Sequence, residues 1–256
     1  MNRAENLDYI LRQLMTDVGK QYALPASLSD KQRMMRALMN IRQPIPASQE
    51  FLKAQDWELQ RQTEEKGVVS LDGEGILLWQ GDITRLQVDA IVNAANSQML
   101  GCWTPLHQCI DNCIHSAAGI ELRQACHEQM QAQGHDEQTG KAKITLGYNL
   151  PAKHVIHTVG PIIPQGMVPT QEQEELLASC YHSCLNLAET YHLRSIAFCC
   201  ISTGVFNFPN ERAAEIALAT VRKWFALHQT PTITQVVFNV FKDNDHEIYQ
   251  RLLTED

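Results

Sequence analysis

Three side chains with soft donor atoms lie close together in the sequence, Cys102, His107 and Cys109, spaced as C-x4-H-x-C. Two thiolates and one imidazole are a good donor set for Zn²⁺, and three protein ligands leave the fourth tetrahedral position open. Structural zinc sites usually close with four ligands, often as paired C-x2-C units, and this sequence contains none. Cys113 could be a fourth ligand, but its place on an apolar stripe favours the core. The spacing also fits three unrelated loop residues.

Polar residues follow two predicted strands further towards the N-terminus. Asp82 comes after the first strand, and the sequence NAAN at 93–96 ends the next. Open α/β sheets hold their ligands at this edge. A carboxylate there can accept a hydrogen bond from the amino group of a base, and a side-chain amide can bind a ribose hydroxyl. The simpler alternative is that these Asp and Asn residues only form turns.

A third segment, STGVFNFP at 202–209, connects an apolar strand to a helix. Gly204 permits a tight turn, Asn207 is a candidate N-cap, and Pro209 suits the start of a helix. Free N–H groups leading into a helix N-terminus can bind an anion such as a phosphate. Taken alone, the segment is better explained as an ordinary strand–helix connection. The P-loop and dinucleotide-binding glycine patterns are both missing from the sequence.

The elements that must position these residues are predicted for residues 71–256. Short apolar runs predict strands at 76–79, 88–92, 143–146, 154–159, 195–201 and 235–241. Helical periodicity predicts helices at 110–131, 171–191 and 209–228. Strands that are apolar almost throughout and alternate with helices imply a sheet covered on both faces. We therefore expect a three-layer α/β/α sandwich.

The sequence predicts a helical N-terminal extension at residues 1–70. This segment contains no chemical motif. Apolar residues at 7–18 recur at helical spacing, and a second helix is predicted from Ser29, which forms a capping box with Gln32 and is followed by a stop at Pro44. A third helix is predicted over 48–65. The sequence leaves open whether these helices pack on the sandwich or dock a partner.

Composition excludes several classes of protein. The 256 residues carry 29 acidic and 21 basic side chains, a net charge of −8, and 44% of them are hydrophobic, which argues against disorder. The longest apolar run, 196–201, is far shorter than the roughly 20 residues of a membrane span. No signal peptide is evident, so a cytoplasmic protein with reduced thiols is expected. The negative charge argues against a dedicated nucleic-acid binder but not against a phosphate-bearing ligand.

Four segments together resemble the macrodomain family, which binds ADP-ribose. They are GDIT at 81–84, NAAN at 93–96, I-D-x-x-I-H-x-A-A-G at 110–119 and STGVFNFP at 202–209. The resemblance spans about residues 70 to 256 and implies the macrodomain fold with a mixed central sheet. Hydrolytic macrodomains usually have a glycine run where this chain has CWTPLHQC. That replacement resembles the zinc-containing microbial branch, found alongside a sirtuin-type ADP-ribosyltransferase, and implies one Zn²⁺ held by Cys102, His107 and Cys109.

The resemblance also implies substrate-binding roles. Asp82 would accept a hydrogen bond from the adenine amino group, with the Ile83 N–H beside it. Asn96 would hold a hydroxyl of the distal ribose, and Asn93 would support its turn. The residues expected to wrap the diphosphate are Ser202, Thr203, Gly204, Val205 and Phe206, and Asn207 stands where many relatives have glycine.

The implied activity is zinc-dependent hydrolysis that removes mono-ADP-ribose from modified proteins, with an Asp or Glu ester as the expected linkage. Asp111 matches the aspartate near the scissile bond, and with Asn96 it forms the implied catalytic pair. The alternative is a non-catalytic reader of ADP-ribose in which zinc shapes the pocket, although the presence of Asp111 favours an enzyme. A third class is a hydrolase with Cys102 or Cys109 as nucleophile and His107 as base.

Overall fold

A six-stranded mixed sheet is the centre of the computed structural model, which describes residues 2–254. The strands are β1 Gly75–Gln80, β2 Ala90–Ala95, β3 Ala142–Leu146, β4 His154–Val159, β5 Ser195–Phe198 and β6 Gln235–Val240. Their order in the sheet is β1-β6-β5-β2-β4-β3, and β3, antiparallel to β4, is the single exception to parallel pairing. The carboxyl ends of five strands therefore meet at one edge.

Helices cover both faces of this sheet. They are α4 Ile110–Ala118, α5 Ile120–Gln133, α6 Gln171–Thr190, α7 Asn210–Leu227 and α8 Asp243–Thr254. The predicted three-layer sandwich with a mixed sheet is confirmed, and the central strands are buried nearly throughout because both faces are covered. Within residues 2–254, no helix combines the length and the hydrophobicity that crossing a membrane requires.

The N-terminal extension forms three helices that pack on the sandwich. They are α1 Arg3–Asp17, α2 Leu28–Ile41 and α3 Gln49–Lys66. Their apolar faces enclose a small core of their own, which Ile120 of α5 joins. Asn149 of the sandwich donates to Asp56 of α3 at 2.7 Å. Of the two possibilities that the sequence left open, packing on the sandwich is therefore observed.

Two predictions about helix ends are wrong. Helix α2 begins after Ser27, whose Oγ accepts a hydrogen bond from the Asp30 N–H, so Ser29 is not the cap. The Gln32 side chain donates to buried Glu58 at 2.8 Å instead of closing a capping box. Asn207 does not cap α7, because Pro209 occupies the N-cap position. Helix α8 was not predicted, since its few apolar residues give a short pattern.

The sequence predicts one helix over 110–131, but the structure has two helices that are separated at Gly119. A contact from the N-terminal extension explains the separation. Gly119 has a φ of +103°, which ends α4 and starts α5. Gln55 of α3 is fully buried, and its Oε1 accepts the Ile120 N–H at 2.9 Å. A Cβ on Gly119 would lie 2.7 Å from Gln55 Nε2. The break therefore admits a side chain that satisfies a helix N-terminus.

We expect the substitution Gly119→Ala to lower the free energy of unfolding by roughly 2–4 kcal/mol, from backbone strain and the disturbed Gln55 hydrogen bond. Gly134→Ala is the matched control, because Gly134 also has a positive φ but would place its Cβ in open space. It should cost about 1–2 kcal/mol. Urea unfolding followed by circular dichroism measures both, and equal losses would contradict the role given to Gln55.

Candidate active site

Most of the predicted ligand-binding residues line one cleft of about 1880 Å³ at the carboxyl edge of the sheet. Helices α2 and α3 form its opposite wall, so the extension takes part in the site. Small-molecule pockets usually measure about 300–1,000 Å³. The cleft therefore has room for a nucleotide-sized ligand together with a segment of another molecule.

Asp82 lies at one end of the cleft, directly after β1. Its Oδ1 accepts hydrogen bonds from the backbone and the hydroxyl of Thr84, at 3.0 and 2.7 Å. Its Oδ2 is oriented towards Lys66 Nζ at 3.5 Å and keeps capacity for a further donor. Ile83 lines the cleft beside it. This fixed carboxylate can accept a hydrogen bond from an amino group.

The loop after β5 presents unused N–H groups to the cleft. The Asn207 N–H donates to Gly204 O and the Phe208 N–H to Ser202 O, which closes the loop on itself. Within residues 2–254, the N–H groups of Gly204, Val205 and Phe206 have no acceptor. All three residues line the cleft together with Ser202 and Thr203, and such a concavity of N–H groups suits a diphosphate.

Two predicted site residues lie outside the cleft lining. Asn207 has a φ of +56°, a left-handed conformation that Asn tolerates better than most residues, and this accounts for an Asn at that point of the loop. Asn93 is fully buried beneath the cleft. Asn96 does line it, and its side chain is fixed by a bond to Gly101 O and by the N–H of Gln98.

The atoms of the proposed metal ligands converge. The Sγ atoms of Cys102 and Cys109 and a ring nitrogen of His107 all lie within 4.8 Å of one another, and all three residues line the cleft. Cys102 Sγ is 3.6 Å from His107 Nδ1. Ligands at zinc distances and tetrahedral angles would be about 3.6 Å apart, so the donor set fits Zn²⁺. Cys113 is not part of this group.

Asp111 is the acidic residue nearest the proposed metal ligands in sequence, and a buried hydrogen bond holds its carboxylate. Asn93 Nδ2 donates to Asp111 Oδ1 at 2.8 Å and lies 3.1 Å from His157 Nδ1. His157 Nε2 lies 3.0 Å from Thr145 Oγ1. Burial raises the pKa of Asp111 to about 6, although the Asn93 hydrogen bond opposes the shift. Burial also lowers the pKa of His157 to about 3, so its ring is neutral.

A second group of possible ligands, His115, Cys126 and His157, lies in the core. Asn93 and Thr145 already engage both ring nitrogens of His157, which explains this residue without a metal. His115 Nε2 is 3.5 Å from Asp111 Oδ1, and burial lowers the pKa of His115 well below its ordinary value. Of this group, His157 is connected to Asp111 through Asn93, whereas neither ring nitrogen of His115 has a hydrogen-bond partner among residues 2–254.

Sequence reasoning missed two kinds of cleft residue. Phe241 follows β6 with its side chain exposed, and the Gly81 N–H donates to Val240 O, which brings Phe241 next to the Asp82 segment. The predicted strand 235–241 includes Phe241, and an aromatic residue at the carboxyl end of the last strand was the signal for it. Arg36 of α2 also lines the cleft, and no pattern in the sequence could pair it with a distant loop.

Comparison with known proteins agrees with this architecture. The Macro domain family profile matches residues 92–217. A curated relative from Treponema medium, "Protein-ADP-ribose hydrolase", is 49% identical over 257 aligned residues, which cover 97% of this chain and 96% of the relative. A relative from Fusarium oxysporum f. sp. cubense, "Probable bifunctional ADP-ribose hydrolase/ADP-ribosyltransferase", is 41% identical, covering 91% of this chain and 43% of the relative.

A solved structure is similar over nearly the whole chain. The Trypanosoma brucei macrodomain in complex with ADP-ribose has a TM-score of 0.65 and 28% sequence identity, covering 91% of this chain and all of that one. The similar fold and the identity to the Treponema medium relative over almost the full length of both chains lead to one assignment. This protein belongs to the Macro domain family.

Proposed function

We propose that this chain is a protein-ADP-ribose hydrolase that releases ADP-ribose from mono-ADP-ribosylated proteins. The observation that carries the proposal is a single cleft lined by Asp82 and by the N–H loop, with Asn96, Asp111 and the metal ligands along the same surface. Relatives that are nearly half identical over the full length and named for this activity support it.

The positions of these groups define how ADP-ribose would lie along the cleft. Adenine would contact the Asp82 carboxylate and stack on Phe241, and the diphosphate would accept hydrogen bonds from the N–H groups of residues 204–206. The distal ribose would then reach Asn96 and Asp111. The room left over in the cleft suits the protein segment to which the ribose is attached.

In this arrangement, Asp111 orients a water molecule towards the anomeric carbon and accepts its proton. Asn93 holds the carboxylate in one orientation, with His157 neutral behind it. Asn96 holds a ribose hydroxyl. The bond between the anomeric carbon and the linking oxygen breaks, the water oxygen takes its place, and the side chain leaves. An Asp or Glu linkage is the proposed substrate, since a carboxylate leaves as a stable anion.

We also propose one Zn²⁺ at Cys102, His107 and Cys109. A bound zinc ion can polarise a ribose hydroxyl or lower the pKa of a coordinated water to about 7. One of these ligands is oriented by the chain itself, because the Asn112 N–H donates to Cys109 Sγ at 3.4 Å at the start of α4.

The cellular setting follows from the same proposal. The ADP-ribosylated substrate needs a transferase to produce it, and the name of the Fusarium oxysporum relative joins hydrolase and transferase. A sirtuin-type ADP-ribosyltransferase as partner and a cytoplasmic location stay predictions.

The substitution Asp111→Asn separates an enzyme from a reader. It removes the proton acceptor but keeps the shape, so we expect kcat for ADP-ribosyl release to fall about 10²–10⁴-fold. Affinity for ADP-ribose should stay within about threefold, because that ligand is held mainly by other groups. Asp72→Asn, at an exposed position outside the cleft lining, is the control. Binding without release in the wild-type protein would favour the reader.

Removal of zinc tests the metal proposal. Cys102→Ser should lose the bound metal, measured by atomic emission, and should release ADP-ribose at least tenfold more slowly. Cys113→Ser should keep one zinc per chain, because Cys113 stands outside the ligand group. Normal release by metal-free protein would refute a catalytic zinc. Loss of release on alkylation in a chain that never held metal would favour the cysteine-nucleophile alternative.

Phe241→Ala should weaken ADP-ribose binding roughly tenfold, because stacking on a base contributes about 1–3 kcal/mol. Tyr22→Ala, which removes a similarly exposed ring outside the cleft, should leave the Kd unchanged. Isothermal titration calorimetry measures both constants. Equal affinities in wild type and Phe241→Ala would place adenine elsewhere.

A further inference from the structure

Helix α2 of the extension lies against the segment that carries the metal ligands. This segment, residues 101–109, is called the metal loop below, and it has no regular helix or strand. Loops of this kind are mobile unless other groups fix their backbone. Here, the fixing groups come from a part of the chain that precedes the sandwich.

Arg36 is the first of these groups. Its Nη2 donates to the carbonyl oxygen of His107 at 2.7 Å and to Asn112 Oδ1 at 2.8 Å. Asn112 is fully buried, its N–H donates to Cys109 Sγ, and its Nδ2 donates to Thr104 O at 2.9 Å. One guanidinium therefore binds the carbonyl of ligand His107 and the side chain of Asn112, the residue whose backbone N–H donates to ligand Cys109.

Asn40 is the second group, one helical turn further along α2. Its Oδ1 accepts the N–H of Leu106, the residue before ligand His107, at 2.9 Å. Its Nδ2 donates to Ser116 Oγ of α4 at 3.0 Å. Asn40 is almost fully buried, so this bond is shielded from water. Leu106 has a φ of +60°, and the Asn40 contact helps to hold its backbone there.

The start of the metal loop is held by Arg123 of α5, which also contacts α2. Buried Arg123 donates to Leu100 O at 2.7 Å and lies 3.5 Å from the carbonyl oxygen of ligand Cys102. The same guanidinium donates to the carbonyl oxygens of Met39 and Asn40. Each of the three proposed metal ligands is thus connected to α2 through a hydrogen bond to its carbonyl oxygen or to its sulfur.

We propose that Arg36 and Asn40 are positioning residues for the metal site, so that the N-terminal extension is part of the zinc centre. The inference rests on the proposed zinc site and adds to it the groups that keep its ligands together. Groups that orient metal ligands typically contribute 10–100-fold to metal affinity. The extension therefore preorganises a site to which it contributes no ligand.

The test is metal binding by the full chain with Arg36→Gln. We expect zinc affinity, measured by competition with a chromophoric chelator, to fall 10–100-fold. The Co²⁺-substituted variant should also show an altered d–d spectrum, because the geometry of the ligands changes. Arg36→Lys keeps one donor for the His107 carbonyl and should recover part of the affinity. Arg12→Gln, at an exposed position on α1, is the matched control and should bind like the wild type.

The outcomes separate this inference from the zinc proposal. Wild-type affinity and an unchanged Co²⁺ spectrum in Arg36→Gln would overturn the positioning role while leaving the zinc site intact. An affinity of Arg36→Lys as low as that of Arg36→Gln would also overturn it. A wild-type chain that binds neither metal would overturn both. If Arg36→Gln unfolds at a lower temperature, Asn40→Asp, which keeps the acceptor for Leu106, should retain more affinity than Asn40→Ala.

Discussion

The burial of one guanidinium joins the parts of this molecule. Arg123 is 5% exposed, and its guanidinium donates to five carbonyl oxygens. Those of Met39 and Asn40 lie at the end of α2 and that of Arg42 just beyond it, while those of Leu100 and Cys102 lie beside and within the metal loop. Its Cζ lies 4.0 Å from the centre of the Trp103 ring. Burial lowers the pKa of Arg123 to about 10, so it stays charged at neutral pH. Without it, several buried carbonyls would lose their donors.

These Arg123 contacts explain why an all-helical extension packs on an α/β sandwich. The last turn of α2 has unsatisfied carbonyls like any helix end, and here a side chain from the sandwich satisfies them. In return, α3 supplies Gln55 for the start of α5. Each part completes hydrogen bonds that the other needs, and the cleft lies between them.

The cleft gives an acidic chain a loop that suits an anion. The net charge is −8, yet the loop after β5 offers N–H groups that bind phosphate oxygens without a lysine or arginine. The carboxylates have separate places: Asp82 beside Lys66 at one end, and Asp111 behind the loop, buried against Asn93. Under the proposed function, one cleft would hold a diphosphate at the N–H loop and present the Asp111 carboxylate as a base to the reaction.

The sequence by itself determined the sandwich and most of the segments that border the cleft, because local patterns report on local structure. Strand β4 was predicted with its observed bounds, and the segments at 81–84, 93–96 and 202–206 were expected at the edge where they lie. The proposed metal ligands are within eight residues of one another, so their spacing alone suggested them. Only the tertiary structure decided the rest. Arg36 is 71 residues from the carbonyl that it binds, and Gln55 is 65 from Ile120. Contacts over such distances are set by how helices pack, and no local pattern carries that information.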